Sequence, residues 1–364
     1  MLVESNDKYD LSVFLTGAGG SATENVLDSL RKAGTKYRVI GADVSPIKLH
    51  LSSAFEKCLI PLAKSPDYLG ALNSAIKYFG AQILHVQPDP EVRVVGAERS
   101  QIDAQIFLPT QGALDLAGDK SAFANAMAQH KIPVPESIAI TNRESIIDIV
   151  DEMLNRHERV WIRARVGAGA RGSLPVSTGK QALAWIDWWI EEKQMNAADF
   201  MAAEMLPGRE FAFQSIWQDG ELIAGQARER VEYLYGFLTP SGQTSTPAVA
   251  RTVSDKRITD LALSAIRGLD ERPHGVYCAD IKESASGAPM VTEINAGRFF
   301  TTSNFFATAG VNMPDMAMRA ASGEKLQKVG LSPLDDDLYW IRMVDMEYKL
   351  IPGHELDKWI RFGN

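Results

Sequence analysis

After a polar start, the chain sets short apolar runs between amphipathic stretches. Leu11–Thr16 is an apolar run of strand length, and Val26, Leu27 and Leu30 follow it at helical spacing. Residues 37–43 read as a second strand ending at Asp43, and residues 83–86 and 106–108 as further short buried strands. Near-continuous apolar strands alternating with helices predict an open parallel sheet covered on both faces. The fold class is α/β.

Further along, Ser121 or Asp119 caps a helix carrying Phe123, Ala126 and Met127, which stops before Pro133 and Pro135. The prolines force an extended exit, so residues 137–141 read as an edge strand, followed by strands at 160–165 and 200–204. Between these, a helix over 180–193 carries the stripe Leu183, Trp185, Ile186, Trp188, Trp189 and Ile190. Such a stripe marks core or subunit contact, and no chemistry is assigned to it. Residues 210–217 alternate as a strand, turn at Asp219-Gly220 and return through 222–227 toward Arg228, Glu229 and Arg230. Residues 240–246 form a polar loop, Val311-Asn312-Met313-Pro314 opens a closing helix, and a tail with residues 338–343 and Trp359 returns against the body. There is no internal repeat and no low-complexity linker.

Residues 276–281 and 290–295 are strand-like runs joined by the turn-prone 283–289, which predicts a hairpin. Alternation places Val291, Glu293 and Asn295 on one face, and pairing brings Asp280 near Glu293. Two carboxylates and a carboxamide oxygen are hard ligands of the kind magnesium takes. Alone, the same pattern is more often the wet face of a plain hairpin.

Length and composition narrow the classes. A chain of 364 residues suits two or three lobes, and 45% hydrophobic with 23% charged residues is ordinary globular composition. A net charge of −8 speaks against general nucleic-acid or membrane-surface binding, and no apolar run reaches a membrane span of about 18 residues. Cys58 and Cys278 are too few for a disulfide framework or a zinc site, so a reduced, cytoplasmic setting is expected, without a built-in glutaminase.

Two glycine-rich turns compete for a nucleotide. Gly17-x-Gly19-x-x-Ala22, with Asp43 beyond it, fits the dinucleotide fingerprint and makes an NAD(P)-dependent oxidoreductase the competing reading. Its bland counterpart is a tight strand-to-helix turn. The second turn holds Gly167, Gly169 and Gly172 among Arg163, Arg165 and Arg171, so backbone amides and guanidinium groups can face a phosphate. No Gly-Lys-Ser/Thr follows it, and a plain hairpin turn fits equally well. Lys120, taken alone, is an ordinary solvated lysine.

Taken in order over roughly residues 11–326, these pieces resemble the ATP-grasp superfamily of carboxylate–amine and thiol ligases, nearest the carbamoyl-phosphate synthetase and biotin carboxylase branches. The resemblance implies a three-lobed α/β clamp: a Rossmann-like pre-ATP-grasp domain at 1–115, a small subdomain at 116–203, and a large subdomain with a C-terminal extension at 204–364. It implies that Lys120, Arg163, Gly167, Gly169, Arg171 and Gly172 meet ATP phosphates. Glu204, Met205 and Leu206 would form the adenine and ribose hinge, with Glu210 closing the nucleotide-binding segment after it, and Asp280, Glu293 and Asn295 would hold Mg2+, with Mn2+ as a substitute. Arg228, Arg230, Arg251 and Arg298 are its candidates for gripping a substrate carboxylate, with Tyr233 and Tyr235 beside them. The implied reaction activates a carboxylate as an acyl phosphate and joins it to an amine or ammonia. Small-molecule partners and a homodimer belong to the same analogy. Two departures stand out: Arg163 replaces the usual lysine, and Ala296-Gly297-Arg298 lengthens the family's Glu-x-Asn-Pro-Arg and drops its proline. They keep open a nucleotide-binding regulatory protein with a decayed site.

Overall fold

The computed structural model describes residues 9–167, 172–244, 246–344 and 357–363. Its first part builds a parallel sheet from β1 (Leu11–Thr16), β2 (Tyr37–Asp43), β3 (Glu56–Leu59) and β4 (Ile83–His85), interleaved with α1 (Ser21–Arg31), α2 (Tyr68–Phe79) and α3 (Asp89–Ala97). On β1, Val13 and Leu15 pack with Leu27 of α1, while Phe14 packs with Tyr68 and Leu72 of α2. That two-sided burial is why the strand reads as a continuous apolar run.

Residues 106–108 depart from the expected strand. Gln105 alone bridges to Ile83, after which the chain leaves the sheet toward Pro109, which has no N–H to donate. Phe107 and Leu108 are buried by packing rather than by a ladder.

Helices α4 (Gln111–Gly118) and α5 (Lys120–Gln129) lead into a four-stranded antiparallel sheet ordered β5-β8-β6-β7. Its strands are β5 (Ser137–Ala139), β6 (Val160–Ala164), β7 (Leu174–Val176) and β8 (Phe200–Glu204), and α6 (Ile146–Leu154) and α7 (Gly179–Lys193) join Val160, Ile162 and Phe200 in its core. Asp119 is the residue that caps α5, accepting from the amides of Ser121 and Ala122. On α7, Ile186 enters the core while Trp185, Trp188 and Trp189 form a cluster of ring contacts toward the surface.

The third sheet runs β13-β12-β9-β10-β11-β15. It contains β9 (Glu210–Gln218), β10 (Glu221–Tyr233), β11 (Pro247–Val253), β12 (Gly275–Glu283) and β13 (Pro289–Ala296), with α8 (Lys256–Leu269) on one face. Asp219 and Gly220, both at positive φ, make the β9–β10 turn. Toward the other face lie α9 (Asn304–Thr308) and α10 (Met313–Ala321), then β14 (Gly330–Leu331) beside β10 and β15 (Tyr339–Ile341) beside β11. The last strand, β16 (Ile360–Arg361), pairs with β3, so the tail returns to the first sheet, where Trp359 packs on His50.

Candidate active site

The site grows from the β12–β13 hairpin, where Asp280 stands directly opposite Glu293. A bulge follows: Ile281 pairs with Val291, which leaves Thr292 as the extra residue. This shifts the alternation, and it corrects the sequence reading of one shared face. Val291 joins Ile294 and Ala296 in the core, whereas Thr292, Glu293 and Asn295 line a cavity of about 450 Å3 between the second and third sheets.

Cations converge on these acids. Arg163 donates to Glu293 at 2.7 Å, and Lys120 lies 3.4 Å from the same carboxylate while donating to Gly167 O at 2.7 Å. Arg230 bridges Asp280 at 2.5 Å and Glu210 at 2.9 Å. Glu210 also accepts from Tyr233 and Gln243 and sits 3.6 Å from Lys282. Arg298 donates to Asn295 and to Asp89 of the first lobe, and the Asn295 amide donates to Asp280 at 3.2 Å. Burial pushes the Asp280 carboxyl up; Arg230 opposes the rise and Glu293 adds to it. Burial acts the same way on Glu293, but Lys120 and Arg163 outweigh it and hold that carboxyl well below its ordinary range. Burial lowers Lys120, with its pairing to Glu293 pulling back.

Among the described residues, no three His, Cys, Asp or Glu side chains group as a metal cage. The donor set is two facing carboxylates and one carboxamide. That fits magnesium, which takes one or two carboxylates and completes its shell with water and phosphates, and it does not fit zinc.

At the opposite wall, Glu204, Met205 and Leu206 line the cavity with Trp161 and Pro135. Backbone bonds anchor that wall, from Glu204 N to Glu136 O (2.8 Å) and from Met205 N to Arg159 O (3.4 Å). Gly172 has φ +67, and a Cβ there would meet the Phe200 ring at 2.8 Å, so no larger residue fits. Gly169 and Arg171 lie outside the described residues.

Arg228 lines the cavity, but Arg251 does not. Arg251 sits opposite Glu229, on the other side of the pleat from Arg228 and Arg230, and pairs there with Glu229 and Asp337 (2.7 Å each). Tyr233 lines the cavity, while Tyr235 is half exposed and is not among its lining residues. Sequence reasoning missed Lys282, two residues from Asp280 and legible by strand periodicity. It also missed Thr292, Gln243, Phe300 and Asp89, which only tertiary contacts bring in.

No family model matches the chain. Over 202 residues, 52% of this chain and 46% of the relative, it is 25% identical to phosphoribosylamine–glycine ligase of Vibrio cholerae, so the match spans about half that protein. Among solved structures, it superposes on a Campylobacter jejuni biotin carboxylase–ATP complex with a TM-score of 0.67, at 14% identity over 92% of this chain and 75% of that one. An L-amino acid ligase from Bacillus licheniformis gives 0.64 at 11% identity over 86% and 74%, and the ADP complex of a Staphylococcus aureus N5-carboxyaminoimidazole synthetase gives 0.64 at 14% over 88% and 79%. The chain has the ATP-grasp fold.

Within that ATP-grasp frame, both departures have a local account. Arg163 keeps a cation on Glu293 and shares it with Lys120. The lengthened segment turns at Gly297, whose φ is +81 and whose N–H donates to Val276 O at 2.8 Å. The competing turn at 17–22 is closed instead. Asp43 accepts from Gly19 N at 2.8 Å and from Ser45 N at 2.8 Å, and a Cβ at Gly19 would strike Lys48 at 2.6 Å. The carboxylate that a dinucleotide ribose needs is spent on the turn itself. The nicotinamide reading is not favoured.

Proposed function

We propose that the protein is an ATP- and magnesium-dependent ligase that activates a carboxylate as an acyl phosphate and joins it to an amine or ammonia. The observation that carries this reading is the Asp280–Glu293 pair, facing a cavity between two lobes and ringed by Lys120, Arg163, Arg230 and Arg298. Names of the relatives point the same way: phosphoribosylamine–glycine ligase and L-amino acid ligase. We assign the lobes as residues 1–115, 116–203 and 204–364, and expect a cytoplasmic homodimer. Among the described residues no helix is long and apolar enough to cross a membrane.

The chemistry follows from the weakness of a carboxylate as an electrophile. A substrate carboxylate oxygen attacks the γ-phosphorus of ATP, the bond to ADP breaks, and the resulting acyl phosphate loses phosphate to an attacking amine. Such transfer asks the protein for positioning and charge neutralisation. Lys120 and Arg163, with the amides of the 167–172 turn, would balance the phosphates; Glu204, Met205 and Leu206 would seat adenine and ribose. Asp280, Glu293 and Asn295 would hold Mg2+, or Mn2+ in its place, which neutralises phosphate oxygens when bound. Arg230 is committed to Asp280 and Glu210, so it steadies the acids as well as facing the acid substrate.

Thermal stability with ATP and magnesium, ATP and chelator, and NAD(P)H tests the reading, because a ligand bound only by the native state raises Tm. A magnesium-dependent rise with ATP, followed by acid- and amine-dependent phosphate release, is expected. A rise with NAD(P)H alone overturns it.

A further inference from the structure

Among the described residues, one cation lining the cavity has no acid. Arg163 pairs with Glu293, Arg230 with Asp280 and Glu210, Lys282 with Glu210, and Arg298 with Asp89. Arg228 is 1% exposed and lies between the rings of Phe300 and Phe306, at 5.1 and 5.3 Å. Nη1 donates to Thr302 O at 3.1 Å, Nε has no partner, and no carboxylate meets it among the described residues. Burial, then the charges of Arg230 and, more weakly, Arg342, pulls its pKa down to about 9, opposed only by Cys278 and Asp280. Among the described residues Arg342, entering from the end of β15, also meets no acid: Nε donates to Pro247 O at 3.1 Å, and Nη2 is buried without a partner there. The hydroxyls of Thr302 and Ser303 are buried and, among the described residues, unpartnered as well. An unpaired buried charge is costly, and each of these groups keeps an N–H or O–H that an anion beside Arg228 can accept from.

Position says which anion. Across the sheet, Arg228 pairs with Ala212, Ala212 with Asp280, and Asp280 with Glu293. At the backbone Arg228 is therefore two strand spacings, roughly 10 Å, from Asp280; its guanidinium packs on Phe300, which Arg230 also faces, and on Phe306, and makes no ion pair with Asp280 among the described residues. Arg228 thus offers a cation in the same cavity that neither Asp280 nor Glu293 pairs, separate from the Arg230 that Asp280 holds. We propose that Arg228 and Arg342, with the hydroxyls of Thr302 and Ser303, form a second anion subsite. It takes a non-reacting carboxylate or phosphate of the acid substrate, so the substrate is an acid with two anionic groups a few carbons apart. This rests on the ligase reading above and adds the substrate class.

The test uses the full chain with ATP, magnesium and hydroxylamine, which traps an acyl phosphate as a hydroxamate. Glutarate and adipate are compared with butyrate and valerate, and 3-phosphoglycerate with glycerate, to separate a carboxylate from a phosphate at the second position. The expected kcat/KM is about tenfold or more higher for at least one dianionic series. Arg228→Met is expected to remove that preference, with an unliganded Tm equal to or above wild type because a stranded charge is gone. Arg342→Gln, at a less buried position, repeats the test where Arg228→Met does not fold. Equal use of mono- and dianions by wild type, or a preference that survives both substitutions, overturns the proposal. Absence of any magnesium-dependent stabilisation of wild type by ATP fails the ligase reading instead. The subsite is then judged by whether glutarate or inorganic phosphate raises the Tm of wild type but not of Arg228→Met.

Discussion

Glu293 is held by two cations from different elements, Lys120 at the start of α5 and Arg163 on β6. Replacing it with glutamine keeps the shape and removes the charge that both cations and a magnesium ion need. Turnover in Glu293→Gln is expected to fall about 10²–10³-fold, measured as phosphate release under saturating ATP. Wild-type turnover in this variant sinks the metal role. The same residue sets a pH dependence. Its folded pKa lies below its unfolded value, so the unfolded state binds the extra proton, and the stability gained is present above the unfolded pKa of about 4.3. It is lost as pH falls from there toward the lower folded value. The stability gap between wild type and Glu293→Gln, from urea unfolding, should therefore shrink on acidification from about pH 6 to about pH 3. A gap independent of pH contradicts the pairing. Arg251→Ala is the contrast, because its ion pairs with Glu229 and Asp337 face away from the cavity. Its KM for the acid should match wild type, and a several-fold rise would put Arg251 back in the site.

At the scale of elements, local chemistry was readable wherever it was decided within a few residues. Asp219-Gly220 as a turn, the helix after Asp119 and the hairpin that faces Asp280 with Glu293 all follow from periodicity and turn residues. Three features were not readable, each for a physical reason. The extra residue at Thr292 has no turn signature, so Val291 was placed on the wrong face. Residues 106–108 carry a strand's apolar pattern, but they satisfy it by packing between two cores. Arg251 differs from Arg228 and Arg230 only by which side of the pleat its strand register selects. Gly297 shows what the lengthened segment demands. At φ +81, a Cβ would lie 2.9 Å from Val92, 3.0 Å from Leu108 and 3.3 Å from Leu114. Gly297→Ala should cost about 2–4 kcal/mol, from left-handed strain plus overpacking. Gly70→Ala, on α2 with nothing within 4 Å of its Cβ, should instead stabilise by about 0.5–1 kcal/mol. Denaturant midpoints moving in the same direction for both would contradict the packing argument.

The molecule sets its cavity between the second and third sheets, and the first lobe reaches that cavity's edge through a specific contact. Asp89, the first residue of α3, pairs with Arg298, and Arg298 donates to Asn295, which donates to Asp280. Next to it, Gln87 brackets Phe299, donating to its carbonyl at 2.6 Å and accepting from its amide at 3.2 Å. The segment that departs from the usual ATP-grasp pattern is thus fixed by a lobe that contributes no proposed phosphate contact. Without the Asp89 carboxylate, Arg298 is free to swing onto Glu293 or a bound phosphate, and Asn295 loses its fixed orientation. Asp89→Asn keeps size and hydrogen bonding and removes only the charge. It should lower kcat by about tenfold through Asn295, as supporting contacts to metal ligands do, while Tm shifts little because the pair is partly exposed. The apparent magnesium requirement should rise in parallel, and excess magnesium should restore part of the rate. A loss of Tm with no change in magnesium dependence would make Asp89 a lobe fastener and nothing more.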